Sequence, residues 1–273
     1  MNILNLFKHH QREAETQPLP PSKDVALVLG GGGARGYAHI GAIHALEQAG
    51  YHITSVAGTS MGALVGGIYA AGKLKMLEEK ALSLDWQKTL KLLTPKPGRN
   101  FLASGHNFLS LLDEIVGDEK IEELNVPFCC CASDVISGQE HVFHSGSLKT
   151  AIRCSVSIPC VLEPIKIGNA QYVDGSLHNT LPLNRVARHA GDKLVAINVS
   201  GNYQAEAPKD NLWSMAARCN EIMVSVNTDL SLQLTPPDLY LEMPTNLWSI
   251  FDFDKASEII DWGFRQMFKK IHA

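Results

Sequence analysis

The sequence predicts an α/β fold, and three observations predict it. Val25-Ala26-Leu27-Val28-Leu29 is an unbroken apolar run, the pattern of a central strand in a parallel sheet. Ile53-Thr54-Ser55-Val56-Ala57 is a second short, β-branched run. Each run ends in a glycine-bearing turn and continues into a stretch that reads as a helix, the alternation from which α/β sheets are built.

In chain order, residues 1–22 read as a tail, closing in the extended linker Gln17-Pro18-Leu19-Pro20-Pro21-Ser22. Residues 23–273 read as one domain. The first strand runs into Gly30-Gly31-Gly32-Gly33-Ala34-Arg35-Gly36, and a helix is expected from about Tyr37 to Ala49, stopped by Gly50. The second strand runs into Gly58-Thr59-Ser60-Met61-Gly62, and the small apolar residues Ala63 to Ala71 read as a tightly packed helix. Helices are expected from Lys73 to Leu84 and from Phe108 to Val116, on either side of a loop at Thr94 to Asn100. Residues 73–126, inserted after the helix that follows Ser60, are where a lid or a binding-site wall would sit; if the substrate proves to be an acyl ester, this is the candidate acyl-binding wall.

Pro127 to Asp134 and Gln139 to Phe143 read as two strands joined at Ser137-Gly138. Ser147 is placed to cap a short helix ending at Cys154. A second hairpin carries Tyr172-Val173-Asp174-Gly175. A helix is expected over Pro182 to Ala190, a core strand over Leu194 to Val199, a long amphipathic helix over Leu212 to Leu232, and a late strand over Leu239 to Leu241. Ala256 to Ile271 closes the chain as a helix, with Ile259, Ile260, Gly263, Phe264, Met267 and Phe268 at helical spacing.

Composition narrows the function. The formal net charge of −4 over 273 residues offers no basic field for nucleic acid. Cys129, Cys130 and Cys131 are consecutive, so they point to alternate faces of a strand and read as buried free thiols rather than a metal site or a disulfide framework. Met1 to Phe7 is too short for the apolar region of a signal peptide, and no apolar run reaches the roughly 18–20 residues of a membrane span. The expectation is a cytoplasmic protein, with peripheral membrane contact left open.

The chemistry centres on Ser60. Strand, sharp turn and helix around G-x-S-x-G are the setting of a nucleophile elbow. Gly58 and Gly62 are expected where side chains would strike the neighbouring strand and helix. The glycine loop also spells G-x-G-x-x-G at Gly31, Gly33 and Gly36, the pattern of a dinucleotide site. That reading needs an acidic residue at the end of the second strand, where Ser60 stands instead. The favoured reading is an oxyanion hole, with successive backbone N–H groups aimed at one point. Arg35 either holds the loop through carbonyl contacts, meets an anionic headgroup, or is a solvated first-turn side chain.

A serine nucleophile needs a base. Of the histidines after Ser60, which are His106, His141, His144, His178, His189 and His272, none stands in a recognisable catalytic setting. His178, four residues after Asp174, is the one to test. Asp174 ends a strand at a glycine turn, where either a site or a plain Asx-turn would place it.

Taken together, Gly31 to Gly36, Gly58 to Gly62 and Asp174-Gly175 resemble the motifs of the patatin-like phospholipase family, bacterial cytosolic members in particular. Ser155-Val156-Ser157-Ile158-Pro159, Pro164, Asn179 and Pro182 are similar to the family's pattern around the aspartate. The resemblance runs from about Val25 to Val199. Two positions depart from it: Ser176 stands where the family has alanine or glycine, and Thr180 where many bacterial members have proline. The resemblance implies a three-layer α/β/α sandwich around a mainly parallel sheet. It implies a Ser–Asp dyad with Ser60 as nucleophile, Asp174 as general base, and Gly31, Gly32, Gly33, Ala34, Arg35 and Gly36 as the oxyanion loop. The reaction implied is hydrolysis of a lipid or fatty-acyl ester through an acyl-serine, with no metal or organic cofactor. An acyltransferase using the same elbow, and a catalytically silent lipid- or protein-binding module, are the alternatives. Oligomeric state is not legible.

Overall fold

Eight strands form one sheet in the order β5-β6-β3-β2-β1-β7-β8, with β4 also paired to β3. The computed structural model describes residues 23–83, 106–201, 208 and 210–273; the expected tail and the loop at Thr94 to Asn100 lie outside them. The strands are β1 (Asp24–Leu29), β2 (His52–Thr59), β3 (Phe128–Asp134), β4 (Gln139–Phe143), β5 (Ile165–Ile167), β6 (Ala170–Asp174), β7 (Lys193–Gly201) and β8 (Leu239–Pro244). β3, β2, β1, β7 and β8 are mutually parallel, while β4 and β6 pair antiparallel with β3 and β5 pairs antiparallel with β6. The apolar run Val25–Leu29 is the middle of the sheet because every one of its side chains is buried.

The described helices are α1 (Ala38–Gln48), α2 (Met61–Ala70), α3 (Leu74–Leu82), α4 (His106–Val116), α5 (Leu148–Ser155), α6 (Leu212–Leu234) and α7 (Ala256–Ile271). They cover the two faces unequally. Val25, Leu27 and Leu29 face the large core shared with α1, α2, α5 and α7. Ala26 and Val28 face a thinner layer made with Leu181, Leu183, Leu194 and Leu232. The sandwich is therefore three-layered and lopsided. In α1, Gly41 is where α7 crosses, and a side chain there would overlap the Ile260 carbonyl oxygen. In α6 only Thr228 is fully buried among the described side chains, and Leu212, Met215, Ile222, Met223 and Val226 face outward.

One expected helix does not form. Pro182 to Ala190 is a turn followed by irregular chain. Leu181 and Leu183 are both buried, an extended i, i+2 spacing. The backbone carbonyls that a helix would use are taken by side chains from the sheet: Ser55 donates to Ala187, and Cys129 to Arg185. The glycine loop also differs in detail, since Gly33–Tyr37 is a 3-10 helix that precedes α1.

Candidate active site

β2 and β6 meet tip to tip. Both pair with the same edge of β3: Thr59 lies opposite Cys131 and Asp174 opposite the next residue, Ala132. The other edge of β3 is filled by β4 along Cys130 to Asp134. β2 runs up to this point and β6, antiparallel to β3, runs down to it. The residue after β2 and the last residue of β6, Ser60 and Asp174, are thereby placed at one spot. Gly175 lies over the junction, where a side chain would overlap the Cys131 carbonyl oxygen and come within 3.0 Å of Thr59 Cγ2.

Ser60 has φ 55° and ψ −124°, a conformation a non-glycine residue occupies at a cost on the order of 1–3 kcal/mol. It is the N-cap of α2, yet its side chain caps no helix N–H. Its hydroxyl is thus free of the duty a capping serine normally has. Gly62 allows the geometry, because a Cβ there would overlap the Leu29 carbonyl oxygen; one at Gly58 would overlap the turn at Gly62. These are the collisions expected from the sequence.

Asp174 does make an Asx-turn, accepting the Ser176 N–H on Oδ1 at 2.8 Å. The turn does not exhaust the carboxyl. Burial pushes its pKa up, and the Ser60 hydroxyl, then the Ser176 N–H and hydroxyl, pull it back down by hydrogen bonding to the charged form. The net direction is upward. Ser176 sits in the site itself, its Oγ 2.5 Å from where a Gly31 Cβ would stand. Gly31 in turn lies against Ser60, whose Cβ would be 3.2 Å from that same point.

The glycine loop is held by its carbonyls. His39 Nε2 donates to the Gly30 carbonyl at 2.9 Å, Ser200 Oγ to Gly31 at 2.8 Å, and Arg35 Nε to Gly32 at 3.3 Å. Arg35 also donates to Ser200 Oγ at 3.2 Å. Of the three readings of Arg35, the loop-holding one matches this geometry, since the side chain is buried, with its pKa lowered to about 10 by desolvation and still charged near neutrality. His39 is fully buried, and desolvation lowers its pKa to about 4, so it is the neutral Nε2–H tautomer that meets Gly30. Two of the loop's N–H groups are also spent: Gly31 donates to Thr180 at 3.1 Å and Ala34 to Ile250 at 2.9 Å. Those of Arg35 and Gly36 fall inside the 3-10 helix, whose i→i+3 pattern occupies them. Gly32 and Gly33 remain, with no such commitment among the described residues.

His178 is turned elsewhere. Its Nδ1 meets Ser133 Oγ at 2.8 Å and its Nε2 the Gly138 carbonyl at 3.2 Å. The roles of His39 and Ser200 were not read from the sequence. The signal for His39 was weak: a polar residue on the buried face of an apolar helix.

An apolar cavity opens from Ser60 and Gly33. Met61, Leu64, Leu77, Val156, Leu162 and Phe253 line it, with Lys80 and Ser83 among its few polar neighbours. α3 and α4 supply Leu77, Ala81 and Leu111 to its wall. The expected acyl-wall region thus contributes directly to the cavity. Lys80 is ion-paired with Glu114 of α4.

This arrangement agrees with what the chain is similar to. The family model for patatin-like phospholipase matches residues 27–187, and the chain belongs to that family. An uncharacterized NTE family protein of Mycobacterium tuberculosis is 40% identical over 181 residues, covering 66% of this chain and 50% of that protein. Lysophospholipase NTE1 of Debaryomyces hansenii is 28% identical over 274 residues, covering 89% of this chain and 17% of that one. The chain thus spans half or less of the length of these curated relatives. The crystal structure of VipD from Legionella pneumophila superposes with a TM-score of 0.50 at 14% identity, over 93% of this chain and 67% of that one, a likeness of fold.

Proposed function

We propose that the chain is a serine lipid acyl hydrolase that cleaves a fatty-acyl carboxylic ester through a Ser60–Asp174 dyad. The observation that carries this reading is the uncapped hydroxyl of Ser60, set on a strained elbow, facing a buried carboxylate at the head of an apolar cavity. Membership of the patatin-like phospholipase family and the lysophospholipase name of the fungal relative support the same substrate class.

Ser60 Oγ attacks the ester carbonyl carbon and its proton passes to Asp174. The oxyanion that forms is held by the N–H groups of Gly32 and Gly33, narrowed from the whole loop by the commitments described above. Losing one such donor typically costs about 3–4 kcal/mol of transition-state stabilisation. Collapse of the intermediate breaks the ester bond, and the leaving alcohol takes the proton from Asp174. The acyl chain lies in the cavity beside Met61 and Leu64. Water, giving its proton to Asp174, then attacks the acyl-serine, and Asp174 returns that proton to Ser60 Oγ as the acyl-serine bond breaks and the fatty acid leaves. An ordinary aspartate, with a pKa of about 3.9, is a weak base for this work. Burial of Asp174 moves it in the useful direction. No step requires a metal or an organic cofactor.

The test is hydrolysis of a medium-chain p-nitrophenyl ester, with fluorophosphonate labelling, by wild type, Ser60→Ala and Asp174→Asn. The expected result is labelling and turnover by wild type. Asp174→Asn should lose about 10²–10⁴-fold, the range of general-base catalysis, and Ser60→Ala should fall to background. Wild-type rates in Asp174→Asn would remove Asp174 as the base. A folded wild type that neither turns over nor labels would favour a silent lipid-binding module, and acyl transfer to an added thiol in preference to water would favour the transferase.

A further inference from the structure

Ser155 and Ser157 stand between the two members of the dyad. Ser155 ends α5 and is fully buried. Its Oγ accepts the Ser60 N–H at 2.9 Å and donates to the Cys131 carbonyl at 2.7 Å. Two residues on, the Ser157 carbonyl accepts the Asp174 N–H at 2.9 Å. The Ser157 hydroxyl donates to the Arg153 carbonyl at 2.7 Å and accepts from the Arg153 guanidinium. Arg153 is itself buried and donates to the Glu163 carbonyl at 2.9 Å. A three-residue segment is thus bonded to both Ser60 and Asp174 and anchored behind by a buried arginine.

We propose that Ser155 is a positioning residue for the reaction: its hydroxyl holds the backbone of Ser60 in the elbow conformation and so sets the nucleophile against Asp174. The inference rests on the reading of Ser60 as the nucleophile. Its physical basis is the end of the β2 ladder. Thr59 is the last residue of β2 to pair with β3, and the next place on that edge belongs to Asp174. The Ser60 N–H therefore leaves the ladder with no backbone carbonyl to meet, in a place closed to water. A buried N–H must find an acceptor, and Ser155 Oγ is the acceptor the structure provides. A hydroxyl suits the task because it accepts from Ser60 and donates to Cys131 at once, tying the elbow to the strand beside it. The equivalent hold on Asp174 uses only the backbone of Ser157, so the two serines are not interchangeable.

The experiment uses the full chain as wild type, Ser155→Ala and Ser155→Thr, each ¹⁵N-labelled, with folding checked by circular dichroism and thermal melting. Two readouts are taken: hydrogen exchange of the Ser60 amide, and the rate of fluorophosphonate labelling together with kcat and KM on the p-nitrophenyl ester. Ser155→Ala is expected to lose protection at the Ser60 amide. Its labelling rate and kcat should fall about 10²-fold, the size of effect a misplacement of about 1 Å produces, with KM near wild type. Ser155→Thr, which keeps the hydroxyl, should restore both. A folded Ser155→Ala that labels at the wild-type rate with a protected Ser60 amide overturns the proposal. If Ser155→Ala does not fold, Ser155→Cys replaces it, and equal rates for Cys and Thr overturn the proposal. A wild type inert to the probe defeats the nucleophile reading instead, and the amide exchange, which needs no turnover, then decides the hold of Ser155 on Ser60 by itself.

Discussion

The turn after β2 and the turn after β6 deliver their side chains to the same point by opposite means. Ser60 and Asp174 are equally buried, each 4% exposed. Ser60 occupies a positive φ of 55°, while Asp174 sits at φ −49° and ψ 136°, open to any residue. Ser60 is held by backbone strain and by close-packed glycines on either side. Asp174 is held in an ordinary conformation, and what is unusual about it is electrostatic: a carboxyl withdrawn from water, with hydroxyls and one N–H for company. The cost of function is steric on one side of the site and dielectric on the other.

Gly62→Ala tests the steric side with the largest expected effect on stability. The new Cβ would overlap a backbone carbonyl of β1, which cannot rotate away, and overpacking of this kind costs about 1–3 kcal/mol, occasionally more. Urea unfolding is expected to show a drop at the upper end of that range; a loss below about 0.5 kcal/mol would mean that the elbow is looser than its geometry states.

Ser60→Gly probes the same side with the opposite sign. Glycine tolerates positive φ, so the strain is released, offset in part by the greater freedom of the unfolded chain. The expected outcome is an inactive protein more stable by about 1 kcal/mol in acid, with a smaller gain once Asp174 ionises, because the Ser60 hydroxyl no longer stabilises its carboxylate.

Asp174→Asn makes the smallest change, and it sharpens the comparison because its gain must rise with pH. The native pKa of Asp174 lies above its ordinary value, so the wild type is fully stabilised below the ordinary carboxylate pKa and loses stability as pH rises through the raised one. The asparagine variant has no proton to lose. Its melting temperature is expected to match the wild type in acid and to exceed it above that window, reaching a constant difference by neutrality. A difference independent of pH would show that Asp174 is not desolvated as the fold implies. The same titration governs rate: the acid limb of the pH profile of the wild-type reaction is expected above the value for an exposed aspartate.

The two turns also differ in how legible they were. The elbow was readable because its constraint is local. A strained turn squeezed between a strand and a helix admits few residues, and Gly58, Ser60 and Gly62 are those residues. The glycine loop was readable for the same reason, since only glycine lets the chain pass so close to Ser60, Met61 and the end of β7. Asp174-Gly175 was ambiguous, because an Asx-turn accounts for it equally well, and the Asx-turn is in fact there. The resemblance singled it out where spacing alone did not. The helix expected over Pro182 to Ala190 was wrong because side chains of β2 and β3, distant in sequence, capture its backbone groups.

By itself, then, the sequence determined the strands, the glycine loop and the elbow that carries Ser60. Each of these follows from backbone sterics and periodicity within a few residues. Tertiary structure alone decided that Asp174 and not His178 faces that serine, since this depends on β6 abutting β2 along one edge of β3. It also decided that Ser200 holds the Gly31 carbonyl and that Ser155 receives the Ser60 N–H. Hydrogen bonds between residues tens to more than a hundred positions apart leave no periodic trace in a chain; they exist only once the sheet has brought the partners together.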